Sequence, residues 1–375
     1  MKAVICIFKG IMNLIYSVFK WVLPVRNKAV IISRQSDEKT LDIELLEQEL
    51  KKHREIQVVC LCRKIPESLA GKVCYVCHMF TQMYHIATSK VAVIDGYCIC
   101  ISILKQRDSL FVIQMWHALG SLKKFGFSVT GKEEGSSRKL AELMNMHANY
   151  DMILTSSSLC ASNFAEAFNY PVEKLRVCSL PRVDALTDEE ASGKTAELIY
   201  DEYPQLREKK TIVYAPTFRK NPDENEAALN SLADAVDRDK YNLVLKAHPL
   251  MKTDCCREDM IVDNRFSTIE MFAAADYIIL DYSAIVYEAA LMEKPLFFYS
   301  FDIERYKNNR DFYIDYMEEM PGKISKDAEE IMRSIDDNKY DLDRVKNFAD
   351  RYVEKQCGCT EELAEIITDK MKSTW

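Results

Sequence analysis

Glycine is scarce in this chain, with ten residues in 375. No GxGxxG and no GxxxxGK[ST] occurs, so the sequence basis for a dinucleotide fingerprint or a P-loop is missing. HExxH and GxSxG are missing too, which weakens zinc-peptidase and α/β-hydrolase readings. Basic charge is not in excess. Fifty Lys and Arg stand against 58 Asp and Glu, and a net charge of −8 argues against nucleic acid as partner of the whole molecule. There is no low-complexity tract and no repeat at solenoid periods. The amino terminus lacks an A-x-A-like cleavage site, so a secretory signal is not expected.

Cysteine is plentiful, but a disulfide framework is absent. The thirteen cysteines are odd in number and sit largely in apolar runs such as QVVCLC (57–62) and GYCICIS (96–102), where Cys acts as a small hydrophobe. That usage fits a reducing cytoplasm. Cys74 and Cys77 form a CxxC with Cys60 and Cys62 upstream. Cys60, Cys62 and Cys74 read as parts of buried strands, so no metal centre is expected.

A hydrophobic content of 48% with 29% charged residues describes a globular protein. Its length suits two domains of about 150 to 180 residues. The first 36 residues carry six basic side chains and no acid before Asp37. Within residues 3–23 the apolar run is interrupted by Lys9 and Lys20. Together with Lys2, Asn13 and Ser17 they fall on one helical stripe. The pattern predicts a helix lying in a membrane interface, lysines toward anionic headgroups, over residues 1–25. A spanning anchor or a core helix is the alternative.

From residue 28 onward β-branched runs alternate with amphipathic stretches. Strands are expected at 29–33, 57–62, 91–95, 110–115 and 151–155, and a helix at 41–53 with Leu46 and Leu50 inward. Polarity rises over 184–210. The rhythm then restarts at 211–215, 241–246, 260–263, 277–280 and 295–299, and three helices close the chain at 326–335, 341–353 and 360–372. This predicts an α/β protein of two doubly wound, Rossmann-like domains facing a cleft, at 26–185 and 186–375. In such sheets ligands sit at the carboxyl ends of strands, and the informative residues follow strands.

Five motifs do so. QMWHALGSLKKFG (114–126) offers His117, whose imidazole can take a proton from an attacking hydroxyl, with Gly120 permitting a turn and Lys123 and Lys124 adding charge. VCSLPRVD (177–184) carries Arg182 and Asp184 at the interdomain turn. VYAPTFR (213–219) offers Thr217 and Arg219 for phosphate oxygens. LVLKAHPL (243–250) delivers Lys246 and His248 to a strand end, where a protonated His248 can neutralise a diphosphate oxygen. In DYSAIVYEAALMEKPLFFY (281–299), Asp281 ends a strand, Ser283 stands at the expected N-cap of the next helix, and Glu288 can reach ribose hydroxyls. Each motif singly also reads as a capped turn or a structural side chain.

In this order the five motifs resemble the CDP-glycerol glycerophosphotransferase family of bacterial teichoic-acid and capsule synthesis, over roughly residues 28–355. The resemblance rests on Trp116-His117 with Lys123-Lys124, Pro181-Arg182 with Asp184, Tyr214 through Arg219, His248-Pro249, Asp281-Tyr282-Ser283 and the stretch 298–322. It implies a GT-B fold, a CDP-glycerol donor held mostly by the second domain, and transfer of glycerol phosphate to a hydroxyl with release of CMP. The implied acceptor is a lipid-linked saccharide or polyol-phosphate chain at the cytoplasmic face of the cell membrane. Where the family carries a Gly-containing segment after the first strand, this chain reads SRQSDEKTLD (33–42). Where the family has Gly-Thr-Pro after Trp-His, it reads Ala118-Leu119-Gly120. Both departures lie on the acceptor side and point to a variant acceptor or a CDP-ribitol-like donor.

The expected roles are His117 as general base, and His248, Arg219, Thr217 and Ser283 on the diphosphate. Lys246 and Asp281 belong to the same donor side, Glu288 to the ribose, and Arg182 and Asp184 to cleft closure. The histidines' roles are exchangeable. No cofactor beyond the donor is expected, and a chain of this size points to primase-like single addition. The rival readings are a GT-B glycosyltransferase using a nucleotide sugar, and an inactive membrane-docked CDP-alcohol-binding protein. The oligomeric state is not legible.

Overall fold

The computed structural model describes residues 2–373 apart from 67, 133–134, 136, 220, 249–250, 252–256, 258 and 310. The chain forms two units, each built on a six-stranded, wholly parallel sheet.

In unit 1 the strands are β1 (Lys28–Ser33), β2 (Gln57–Cys62), β3 (Val91–Ile94), β4 (Phe111–Gln114), β5 (Met152–Thr155) and β6 (Leu175–Val177), in the order β2-β1-β3-β4-β5-β6. Every residue of β1, β3 and β4 is buried, as continuous apolar runs predict for strands covered on both faces. The edge strand β2 is half-buried, with Cys60 and Cys62 in it. Strand order reverses between β1 and β3, which makes their carboxyl ends the expected crevice.

Unit 2 contains β7 (Lys210–Tyr214), β8 (Tyr241–Leu245), β9 (Ile261–Val262), β10 (Tyr277–Leu280), β11 (Leu296–Tyr299) and β12 (Lys323–Ser325), in the order β12-β11-β10-β7-β8-β9. Renumbered from β7, that is the 3-2-1-4-5-6 order of a dinucleotide-binding fold, with its switch point between β7 and β10. One face of this sheet places Ile212, Leu243, Leu245, Ile279 and Phe297 in a buried core with Leu232 and Ile331 from covering helices.

Some expectations are corrected. Strand β6 was expected only as the strand that precedes Arg182, without bounds, and β12 was not foreseen, because three residues are too few to show a periodicity. Cys74 is exposed on a helix, α3 (Leu69–Ala87), not in a strand, and Cys77 is exposed on the same helix. Unit 1 comprises Met1–His117, Phe125–Asp184 and Lys355–Trp375, and unit 2 Ala118–Lys124 and Ala185–Glu354. The last helix, Cys359–Lys372, therefore belongs with unit 1, and the segment carrying Lys123 and Lys124 with unit 2. Hydrogen bonds explain both. Asp184 accepts from the backbone N–H groups of Cys359 (2.9 Å) and Thr360 (2.8 Å) and from the Thr360 hydroxyl (2.6 Å), satisfying free donors of that helix. Lys123 pairs in an antiparallel bridge with Phe312. The Lys124 N–H donates to Asp311 O at 2.9 Å.

The helix α1 (Lys2–Val22) is long and apolar enough to cross a membrane by length and composition. Its polar stripe points the opposite way from the expectation. Lys9 donates to Leu143 O (2.8 Å) and Asn145 Oδ1 (2.9 Å), Asn13 to Ile103 O (2.9 Å) and Lys20 to Lys105 O (2.7 Å), all within unit 1. Loop carbonyls need donors more than headgroups do, and the lysines supply them. The outward face is apolar: Val4, Ile7, Ile11, Leu14, Val18, Trp21 and Val22 are all exposed.

Candidate active site

In unit 2 the loop after β7 and the end of β10 meet around one carboxylate. Pro216 lies two residues past β7, and Thr217 turns its N–H (3.0 and 2.8 Å) and its hydroxyl (2.5 Å) onto Asp281, which is fully buried. The Arg219 guanidinium also binds Asp281 and bridges to Asp302, its Nε 3.2 Å from Oδ2 and its Nη2 3.1 Å from Oδ1. The Tyr282 hydroxyl completes Asp302 at 2.9 Å. The guanidinium centre lies 5.1 Å from the ring centroids of both Tyr282 and Phe301. Burial alone would lower the pKa of Arg219, but the two carboxylates overcome it and raise it. Burial likewise works against Asp302, and the hydrogen bond from Arg219 holds it below the usual carboxylate range. Arg219 is thus an electrostatic pillar of the strand ends, its fork committed to protein carboxylates.

Lys246 is similarly engaged. Its ammonium is buried and donates to the Asp263 carboxylate, to Asp263 O at 3.0 Å and to Phe266 O. It anchors the end of β8, two residues before His248. The His248 ring is half-buried, 5.5 Å from the Phe218 ring, and burial with the nearby Lys123 charge lowers its pKa. Lys123 itself lies over the Tyr306 ring at 5.3 Å, and Lys124 over Tyr313 at 5.7 Å. Unit 2 therefore gathers His248, Lys123, Thr217 and Arg219 around the carboxyl ends of β7, β8 and β10. Pro249 lies outside the described residues.

Ser283 is not the N-cap of the following helix. That helix is Val286–Leu291 with Ile285 at its N-cap, and the Ser283 hydroxyl accepts from Ile285 N at 3.4 Å. Glu288 is on that helix and buried. Gly120 has ordinary backbone geometry, and its glycine requirement is one of space: a Cβ there would lie 2.4 Å from the Tyr287 ring.

In unit 1, β4 ends at Gln114, whose side-chain oxygen accepts from Trp116 N at 2.9 Å and helps hold Trp116 in a left-handed conformation (φ 63°). Few non-glycine residues adopt that region, and such strain clusters at functional sites. The indole stacks on Phe125 (4.8 Å) and meets Phe168 edge-on (5.1 Å). This presents His117, half-buried, with Nδ1 2.9 Å from the carbonyl of Asp95. A carbonyl only accepts, so that contact favours the tautomer with the proton on Nδ1 and a lone pair on Nε2. Burial lowers the His117 pKa; the Asp95 carbonyl and Asp42 oppose this and Arg182 adds to it.

Arg182 does not stand free for substrate. It binds Asp42 through its backbone N–H and Nε, both at 2.8 Å, and donates to His117 O at 3.3 Å. Asp184 is occupied with the last helix, and that bonding lowers its pKa against the effect of burial. Asp184→Ala is expected to destabilise unit 1 by about 1–2 kcal/mol, read from the denaturant midpoint. The depressed pKa makes this contribution present above about pH 4 and lost as pH falls through the folded value.

Asp95, Asp42 and Asp302 were missed by the sequence reading. Asp95 directly follows β3, so the rule that selected Asp281 applied to it equally, and Asp302 comes three residues after β11. Asp42 carried no local signal beyond helix α2 (Leu41–Lys51). Among the described residues no group of three or more His, Cys, Asp or Glu is placed to hold a metal.

A buried charged frame and a histidine beside the Lys123 charge at the switch point of a dinucleotide-type sheet, with a second histidine on a strained turn of a companion sheet, define a two-domain α/β transferase. The chain belongs to the CDP-glycerol:poly(glycerophosphate) glycerophosphotransferase family, whose model matches residues 15–367. It is 31% identical over 379 residues to the teichoic acid ribitol-phosphate primase of Bacillus spizizenii, covering 98% of this chain and 97% of that one. It is 26% identical over 350 residues to the teichoic acid glycerol-phosphate primase of Bacillus subtilis, covering 89% of each. A variant of the wall teichoic acid polymerase TagF soaked with CDPG has the same fold, with a TM-score of 0.75 at 19% identity over 97% of this chain and 94% of that one.

Proposed function

We propose that the protein transfers ribitol phosphate or glycerol phosphate from the CDP-linked polyol to a hydroxyl of a lipid-linked acceptor, in a primase-like addition during teichoic-acid synthesis. The observation that carries this is the convergence of His248, Lys123 and the Arg219–Asp281–Asp302 frame at the β7/β10 switch point. That is where a nucleotide diphosphate binds in sheets of this order. The acceptor oxygen attacks the phosphorus bearing the polyol, the bond to the CMP phosphate breaks, and the hydroxyl proton passes to His117. Lys123 neutralises the departing phosphate, His248 donates a hydrogen bond to it, Ser283 contacts the diphosphate and Glu288 the ribose, while Thr217, with both donors on Asp281, braces the loop after β7. Arg219, Lys246 and Asp281 hold the strand ends in place. The two Rossmann-type sheets support a GT-B architecture, and the reading needs no cofactor besides the donor. The match to a ribitol-phosphate primase along both full lengths favours single addition and a ribitol donor.

Incubation with CDP-ribitol, CDP-glycerol and a panel of nucleotide sugars tests this. CMP release from a CDP-polyol is expected. Nucleoside diphosphate release from a sugar donor would instead make the protein a glycosyltransferase, and tight CDP-polyol binding without turnover on any acceptor a binding protein.

The apolar outer face of α1 supports peripheral docking on the cytoplasmic face of the membrane, with the helix in the interface plane because its polar stripe is bonded to unit 1. Each buried Ile, Leu or Val contributes about 1.5 kcal/mol or more, so joint Ile7→Glu, Leu14→Glu and Val18→Glu should cut vesicle partitioning on the order of 10³-fold. Unchanged sedimentation with vesicles would remove α1 as the anchor.

A further inference from the structure

Gln35 lies in the loop after β1. Its Nε2 is 3.2 Å from His117 Nδ1, the same atom that lies 2.9 Å from the Asp95 carbonyl. The two contacts compete. With the proton on Nδ1, the ring donates to Asp95 O and leaves nothing for an amide N–H to donate into. With the lone pair on Nδ1, the amide N–H of Gln35 is satisfied, the Asp95 carbonyl loses its donor and the proton moves to Nε2. Turning the Gln35 amide by 180° presents its oxygen instead, which shares the Nδ1 proton with Asp95 O.

The backbone around Gln35 is held by the same residue that holds the ring. Gln35 N donates to the Ser33 hydroxyl at 3.1 Å. Asp95 in turn accepts through its carboxylate from the Ser33 hydroxyl and from the Arg34 N–H. Gly96 follows, and a Cβ there would stand 3.0 Å from Gln35 Nε2. Asp95 thus fixes the imidazole with its carbonyl and, through Ser33, fixes the residue whose amide reaches the same nitrogen. Both strands involved, β1 and β3, flank the switch point of unit 1.

We propose that Gln35 is a positioning residue that selects the tautomer of His117: amide oxygen toward the ring keeps the lone pair on Nε2, as a general base requires, and amide nitrogen toward the ring removes it. This rests on the reading of His117 as the base that takes the acceptor proton. The charged groups acting on the ring are Asp42 of α2 and Arg182 after β6, Asp95 reaches it through its backbone carbonyl, and Gln35 is the neutral side chain among them. Exchanging it alone alters the proton preference of Nδ1 while those two charges and the carbonyl stay in place.

The test is ¹⁵N-histidine NMR of the full chain, with ring nitrogens assigned by loss of signal in His117→Ala, alongside pH profiles of CMP release from CDP-ribitol and CDP-glycerol. Wild type is expected to show one dominant Nδ1–H tautomer. Gln35→Met should give a tautomer mixture and a several-fold lower kcat with donor KM unchanged. Gln35→Glu, whose carboxylate accepts from Nδ1–H and stabilises the imidazolium, should move the acid limb of the profile up by about one pH unit. Gly96→Ala displaces the amide without removing it and should resemble Gln35→Met. Gln35 is exposed, so these changes spare the core, and circular dichroism melts check that they do. An unchanged ring signature in Gln35→Met, or an unmoved acid limb in Gln35→Glu, would overturn the inference. Undiminished turnover in His117→Ala would overturn the base reading instead, whatever the ring signature shows.

Discussion

Replacing His117 by alanine is expected to lower turnover of the CDP-linked donor by about 10²–10⁴-fold, the usual worth of a positioned general base. Donor affinity should barely change, because the donor-side residues lie in unit 2 and His117 in unit 1. The geometry supports the size of the effect. Nδ1 is engaged by the Asp95 carbonyl, the neighbouring indole is held at φ 63°, and Arg182 is tied to both Asp42 and the His117 carbonyl. The ring is therefore oriented before the acceptor arrives, and orientation is much of what a base contributes. The sign of the pH dependence follows from the lowered pKa. His117 is neutral and competent at pH 7, and activity should fall only as pH drops through that lowered value. CMP release measured against pH, with donor affinity from calorimetry, checks both points. Turnover near wild type would sink the assignment.

How far the sequence could be read depended on whether a signal was local. Central strands such as AVIIS and YIIL announced themselves because both faces are buried and the runs are unbroken. The two-sheet plan followed from their rhythm. The placement of His117 and His248 after strands followed from the same logic. Pairings across the chain were not legible. Nothing near Arg219 indicates that Asp281 and Asp302, 62 and 83 residues away, will occupy its fork. An arginine after a strand reads equally as a phosphate ligand and as a buried pillar. Asp184 is similar: its partners are Cys359 and Thr360, and only the fold shows that the chain returns to unit 1.

The amino-terminal helix shows a different limit. Periodicity correctly put Lys9, Asn13 and Lys20 on one stripe, but a stripe has no intrinsic direction. Lysines on an apolar helix suit anionic headgroups and unsatisfied loop carbonyls alike. The choice was made by residues 103–107 and 143–145, whose carbonyls and amides take up the stripe and turn the apolar side outward.

Asp281→Ala is expected to be the most damaging single change in unit 2. The carboxylate is fully buried and accepts from three donors: Thr217 N, the Thr217 hydroxyl and Arg219. Removing it leaves Arg219 with Asp302 alone, in a site where breaking a buried ion pair costs about 3–5 kcal/mol. The two Thr217 donors lose their acceptor as well, at about 1–3 kcal/mol for each that stays dry. Relaxation and entering water reduce that sum, so about 4 kcal/mol is a conservative expectation, and for a unit of this size it lowers the melting transition by roughly 10 °C. Thr217→Val separates the contributions. It removes one hydroxyl donor and leaves the ion pair, so it should cost about 1–2 kcal/mol. If the two variants melted alike, the carboxylate would be serving Thr217 and not Arg219, and the pillar would have to be sought in Asp302. Should Asp281→Ala melt with wild type, the frame at the β7/β10 switch point would not hold the strand ends at all. CDP-polyol turnover would then survive the substitution, whereas the frame as built requires it to be lost.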